Sequence, residues 1–243
     1  MYISKFIYPT KKFYLSTNYD FLKMNFNKIA FFMHGTSGFT DNSLNYLKIL
    51  HKLGFFIIAP DHIASHKHFC HHNICSKHIN FSTTVNFAKK NPHIYKYVSD
   101  FRTKELEQVF THFFQIYPHN PKHLIAVGVS EGAIAVSKAK IPVHTKFIFS
   151  YSIERNYFTM KKPFVHSYPN QRIIQVIGTN DNFFGKNNSI SSHFHKVKGH
   201  GFDNLKHLNN SLIFLLQNYE HSLLYKPNKH ICTFIKFIFI NFS

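Results

Sequence analysis

The sequence predicts an α/β fold, a mostly parallel sheet covered by helices on both faces. Short apolar runs rich in β-branched and aromatic residues alternate with longer stretches of helical spacing. The runs are continuous rather than alternating, as strands buried on both faces are. Glycine placement agrees: seven of the nine glycines (35, 38, 128, 132, 178, 199 and 201) fall in four short motifs at predicted strand ends.

Each element has its own signal. Ile29 to Met33 reads as a buried strand, and Ser43 to Leu53 as a helix that Gly54 is placed to end. Phe55 to Ala59 is the next strand, closed by Pro60. Phe101 to Tyr117 has helical spacing, with Leu106, Val109, Phe110, Phe113 and Phe114 on one face. Leu124 to Val129 is a strand, Glu131 to Lys140 a helix and Lys146 to Tyr151 a strand. Arg172 to Ile177 and His195 to Val197 add two strands, and Leu205 to Tyr219 closes the series as an amphipathic helix. Two segments break the rhythm, His62 to Asn91 and Ser152 to Asn170. Both follow strand ends, where open α/β sheets carry their ligand-binding loops. No repeat and no linker appears, so the expectation is one domain over 1–243, with its core at about 27–218 and a C-terminal extension at 219–243.

Composition narrows the function classes. With 243 residues, 44% of them hydrophobic, the chain can bury a full core, which excludes wholesale disorder. The formal charge of +18 invites a nucleic-acid reading, yet only three of the 29 cations are arginine (Arg102, Arg155, Arg172). Lys, Asn, Phe and Ile are abundant together, as an AT-rich coding sequence would make them, so no specific nucleic-acid partner is expected. Cys70, Cys75 and Cys232 are too few for a disulfide framework. No signal peptide is legible, and Ile231 to Phe242 is too short to span a bilayer and carries Lys236. That stretch could pack as a further strand, lie on a membrane surface or stay unstructured. A cytoplasmic protein without a transmembrane segment is the expectation; the oligomeric state is not legible.

The chemistry gathers at Gly128-Val129-Ser130-Glu131-Gly132, a G-x-S-x-G between a predicted strand and a predicted helix. A nucleophile on a strained strand-to-helix turn needs glycine on either side, because side chains there would meet the neighbouring strand and helix. Roughly 0.03 such matches are expected by chance in a chain of this composition. Ser130 is the expected nucleophile. His34-Gly35-Thr36-Ser37-Gly38 follows the first strand, where backbone N–H groups could face a reacting carbonyl. The expected oxyanion donors are the N–H groups of Thr36 and Glu131, with His34 orienting the loop rather than acting as a base.

Beyond Glu131 the only acids are Glu154, Asp181, Asp203 and Glu220. Asp181 sits just past a strand, in Gly178-Thr179-Asn180-Asp181, and is the expected acid partner. For the base, Gly199-His200-Gly201 offers an imidazole on an uncrowded loop. His193, His195 and His207 are the rivals to His200.

With these motifs the chain resembles the α/β-hydrolase superfamily, and within it dienelactone-hydrolase-like proteins. The carriers are HGTSG at 34, FFIIAPDH at 55, GVSEG at 128, GTNDNFFG at 178 and KGHGFD at 198, spanning about 27 to 218. The resemblance implies a sheet of about eight strands and a triad of Ser130, Asp181 and His200. Typical dienelactone hydrolases carry cysteine in the elbow, where this chain has Ser130.

The expected activity is hydrolysis of a carboxylic ester, or a related acyl bond, of a small molecule through an acyl-enzyme, with no cofactor. A peptidase or amidase on the same triad and a non-catalytic binding protein on the same scaffold are the alternatives. Arg155 and Tyr157 are candidates to hold a substrate carboxylate. If the charge is functional, Lys161 and Lys162 join Arg155 in drawing anionic esters to the site. Six histidines crowd 62–78 beside Cys70 and Cys75, but without a C-x-x-C or H-E-x-x-H spacing. The segment reads as a polar loop or lid and no metal is expected.

Overall fold

The computed structural model describes residues 5–6, 13–14, 25–60, 92–117, 119–154, 164–186 and 197–243. The short strands β1 (Lys5–Phe6) and β2 (Phe13–Tyr14) pair antiparallel. The main sheet is built from β3 (Lys28–Met33), β4 (Phe56–Ile58), β5 (His123–Val129), β6 (Thr145–Phe149), β7 (Arg172–Gly178) and β8 (Ser211–Leu216). These six strands lie in the order β4-β3-β5-β6-β7-β8, and every neighbouring pair is parallel. Six strands among the described residues therefore stand against the expected eight.

Helices cover both faces, and strand alternation decides which side chain meets which helix. Ala30 and Phe32 share one buried cluster with Tyr46, Leu47 and Leu50 of α1 (Asp41–Lys52). Ile29, Phe31 and Met33 point the other way. They join Leu106, Val109 and Phe113 of α2 (Pro92–Ile116) and Ala135 and Val136 of α3 (Glu131–Lys138). The continuous apolar runs thus reflect burial on two faces, as predicted.

The chain after 200 departs from the sequence expectation. Where Leu205 to Tyr219 is expected to be helical, the helix stops at Leu205: α4 spans only Phe202–Leu205. Ser211–Leu216, inside the stretch read as an amphipathic helix, is instead the edge strand β8, with Val176 opposite Phe214. Five contiguous apolar residues carry no helical period, and Ile213 and Phe214 favour the extended backbone. Of the strand expected at His195 to Val197, residues 195 and 196 lie outside the described residues and Val197 is not in a strand.

The apolar tail is a helix, α5 (Lys229–Phe242). Asn228 caps it, its side-chain carbonyl accepting the Ile231 N–H at 2.9 Å. Ile231, Ile235, Ile238 and Phe239 recur at helical spacing and are buried against the sheet. Phe239 meets the rings of Phe147 and Phe149, at centroid distances of 4.8 and 5.8 Å. The segment expected to be an extension is therefore part of the main core.

Candidate active site

The C-terminal ends of β3, β5, β6, β7 and β8 converge on one edge of the sheet, and the polar residues of interest stand there. Ser130 follows β5 directly. Its φ of 56° and ψ of −119° put it in a region that costs a non-glycine residue strain. Neighbouring backbone enforces that turn: the Ser130 N–H donates to the Phe149 carbonyl at 2.9 Å, and α3 starts at the next residue. Gly132 is required because a Cβ there would lie 2.1 Å from the Met33 carbonyl oxygen. The elbow can thus close against β3 only with glycine at this position.

Asp181, in the loop after β7, is almost fully buried. One carboxylate oxygen accepts the backbone N–H groups of Phe183 and Phe184, at 2.8 and 2.9 Å. The other faces Nδ1 of His221 at 2.8 Å. On the far side of that ring, Nε2 lies 2.9 Å from Ser130 Oγ. With Nδ1–H donating to Asp181, Nε2 is left to accept the serine hydroxyl. Phe183 and Phe184 pack on the imidazole with centroid distances of 4.3 and 5.8 Å, which holds its plane and limits water around the Asp181 contact.

The histidine in this chain of hydrogen bonds is therefore His221, and the expectation of His200 is corrected. His200 bonds to neither Ser130 nor Asp181 among the described residues; its Nδ1 accepts the Phe202 N–H at 3.4 Å, beside Asp203. The glycines around it serve packing instead: Gly201 donates its N–H to the Gln175 side chain at 2.9 Å, and an added Cβ would lie 2.9 Å from Ile153 Cβ. His207 makes no contact with the serine or the acid, and His193 and His195 lie outside the described residues. A signal for His221 was present. The apolar run ends at Leu216, turn-favouring Asn218 comes just after, and His221 follows ahead of Asn228 and the apolar stretch from Ile231.

The turn after β3 lies over the serine, with the Gly38 N–H bonded to the Gly35 carbonyl at 3.1 Å. A Cβ on Gly35 would sit 3.4 Å from Ser130 Cβ, so this backbone passes close to the hydroxyl. His34 is fully buried, and its Nδ1 donates to the Gly35 carbonyl at 2.7 Å, in keeping with a loop-orienting part. Thr36 Oγ1 donates to a Glu131 carboxylate oxygen at 2.8 Å, which joins the two expected oxyanion residues directly. Arg155, Tyr157, Lys161, Lys162 and the whole histidine-rich segment 62–78 lie outside the described residues. Among the described residues no helix is long and apolar enough to cross a membrane.

The fold has counterparts in solved structures. A provisionally designated dienelactone hydrolase from Klebsiella pneumoniae superposes with a TM-score of 0.58 at 13% identity, over 93% of this chain and 88% of that one. The fold is that of the α/β-hydrolases. Esterase PE8 matches with a TM-score of 0.51 at 12% identity, over 90% of this chain and 94% of its own. A dienelactone-hydrolase-like promiscuous phosphotriesterase from metagenomic libraries gives 0.53 at 12% identity, over 90% and 86%. By sequence, the chain matches no protein-family model and no curated protein. The chain thus shares its fold with solved esterases and hydrolases at low identity.

Proposed function

We propose that this α/β-hydrolase-fold chain is a serine hydrolase acting on a carboxylic ester, or a related acyl bond, of a small molecule. The observation that carries the reading is the unbroken hydrogen-bond chain from Ser130 Oγ through His221 to Asp181. His221 Nε2 takes the hydroxyl proton as Ser130 Oγ attacks the substrate carbonyl. Asp181 keeps the ring in the tautomer that leaves Nε2 free to accept, and stabilises the imidazolium. The N–H groups of Thr36 and Glu131 receive the oxyanion of the tetrahedral intermediate; the Glu131 N–H, at the start of α3, has no carbonyl a turn before it in the helix to bond and is available for this. The imidazolium then protonates the leaving alkoxide, giving the acyl-enzyme. A water molecule, deprotonated by His221, releases the acid and restores Ser130. None of these steps needs a cofactor.

Further support comes from the buried Asp181, whose second oxygen is occupied by two backbone donors and cannot turn away from His221. A fluorophosphonate probe should label the protein at Ser130, and the protein should hydrolyse p-nitrophenyl acetate. Ser130→Ala should remove both while leaving the circular dichroism spectrum unchanged. Undiminished turnover in that variant would remove the reading. A panel of esters, thioesters and aminoacyl amides then defines which acyl bond is preferred.

A further inference from the structure

We infer that Arg102, Glu131 and Thr36 form a positioning clamp that holds the two backbone donors of the oxyanion site in register. The inference rests on the serine-hydrolase reading above. Three separate elements meet in the clamp. Glu131 follows the serine on the elbow, Thr36 sits in the turn after β3, and Arg102 comes from α2 on the flank. One Glu131 oxygen accepts Arg102 Nη1 at 2.8 Å and the other accepts Thr36 Oγ1 at 2.8 Å. The second guanidinium nitrogen, Nη2, donates to the carbonyl of His34, two residues before Thr36. Arg102 and His34 are fully buried, and Glu131 nearly so.

The placement is hard to explain by stability alone. Removing two charges from water costs about as much as their attraction returns, so a buried ion pair contributes little net stability. What the pair does supply is geometry. One arm of the Arg102 fork holds a Glu131 oxygen and the other holds the His34 carbonyl, while the second Glu131 oxygen holds Thr36. The two residues so joined are the two assigned to supply the oxyanion N–H groups.

Charge gives a second reason. A carboxylate beside the oxyanion hole would oppose the negative charge that grows on the substrate oxygen. Arg102 cancels that charge within the same hydrogen-bonded unit, so Glu131 can act as a tether without acting as a repellent. Arg102 and Glu131 are thus positioning residues, acting through the backbone they hold.

Thr36→Val deletes only the hydroxyl tie and keeps the shape of the side chain. It should lower kcat for p-nitrophenyl acetate about tenfold, as loosening one donor does. KM and melting temperature should stay near wild type, and Thr36→Ser should restore most of the rate. The double variant Arg102→Met/Glu131→Gln removes both charges together and avoids stranding one in the core. Its kcat should fall about 100-fold. Affinity for phenylboronic acid, whose tetrahedral adduct on Ser130 uses the same donors, should fall in parallel.

A purely structural clamp would shift the melting temperature without changing the ratio of boronate affinity to KM. Wild-type kcat and boronate affinity in Thr36→Val and in the folded double variant would overturn the inference while leaving the hydrolase reading intact. A wild-type protein that neither takes the fluorophosphonate nor turns over an ester overturns both, and that result is recognisable before any variant is made.

Discussion

Ser150 Oγ donates a 2.6 Å hydrogen bond to the backbone carbonyl of His221, tying the end of β6 to the loop that carries the imidazole. Ser150 holds a left-handed φ of 55°, and its own N–H is bonded to the Val176 carbonyl at 2.9 Å on the neighbouring strand. The hydroxyl is thereby fixed by the sheet, and the histidine loop is fixed by the hydroxyl. Ser150→Ala leaves the His221 carbonyl without this donor, at a cost of about 1 kcal/mol in stability. Freed from one anchor, the imidazole should be less often aligned with Ser130. We expect kcat to fall about tenfold, measured with p-nitrophenyl acetate, with a shift of a few degrees in melting temperature.

The two histidines separate cleanly by mutation. His221→Ala removes the group bonded to both Ser130 and Asp181, and kcat should drop by about 10⁴-fold or more. His200→Ala removes a ring whose one bond among the described residues is to the neighbouring Phe202 N–H, and kcat should stay within about threefold of wild type. The opposite ranking would return the base to His200 and sink the assignment of His221.

The reason one histidine was legible and the other was not lies in a single missed strand. Residues 29–33, 124–129 and 172–177 announce themselves by continuous apolar composition, and the G-x-S-x-G fixes the elbow between β5 and α3. Asp181 stands out because acids are scarce and it follows a strand, and the structure sets it against His221. Ser211–Leu216 has the same kind of apolar run, but it lies inside Leu205 to Tyr219, which reads as one amphipathic helix. That reading made 195–197 the last strand, so the histidine after it was displaced to His200. Glycines at 199 and 201 reinforced the displacement, although tight packing against Ile153 accounts for Gly201. Another glycine points the right way only in three dimensions. A Cβ on Gly178 would lie 2.0 Å from the Tyr219 carbonyl oxygen, so β7 ends in glycine to admit the His221 loop. The Arg102–Glu131 pair was invisible because 29 residues and a change of element separate its members.

The terminal helix should matter to stability well beyond its position in the chain. Phe239 is fully buried, among Phe147, Phe149 and the rest of the cluster on the α1 face of the sheet. Phe239→Ala should cost about 3–5 kcal/mol, through lost burial and the cavity left behind. Urea unfolding of the purified variant measures this. A change below about 1 kcal/mol would mean that α5 does not pack on the core as described.

A last prediction concerns Lys146, which sits inside β6 with its side chain fully buried. Its amine donates to the carbonyls of Ala139 and His166, at 2.6 and 2.7 Å, and among the described residues no carboxylate is bonded to it. Desolvation therefore favours the neutral amine and pulls its pKa from 10.5 down to about 7, only partly countered by the more distant Glu107. The folded pKa is depressed, so the sign follows directly. Between pH 7 and pH 10.5 the unfolded chain holds a proton on this amine that the folded chain does not, and stability rises with pH. As pH falls towards 7 that stability is lost, and below the folded pKa both states are protonated and the slope vanishes. Burial raises the phenol pKa values of Tyr46 and Tyr151, which works against stability once pH exceeds their ordinary value of 10.0, so the useful window ends below that. One proton is worth about 1.4 kcal/mol per pH unit, which gives at most about 3 kcal/mol between pH 7 and 9.5. Urea unfolding across that window should show the rise in the wild type. Lys146→Met, which has no proton to lose, should lack this contribution whatever its absolute stability, and equal slopes for the two proteins would mean that Lys146 stays charged in the folded state.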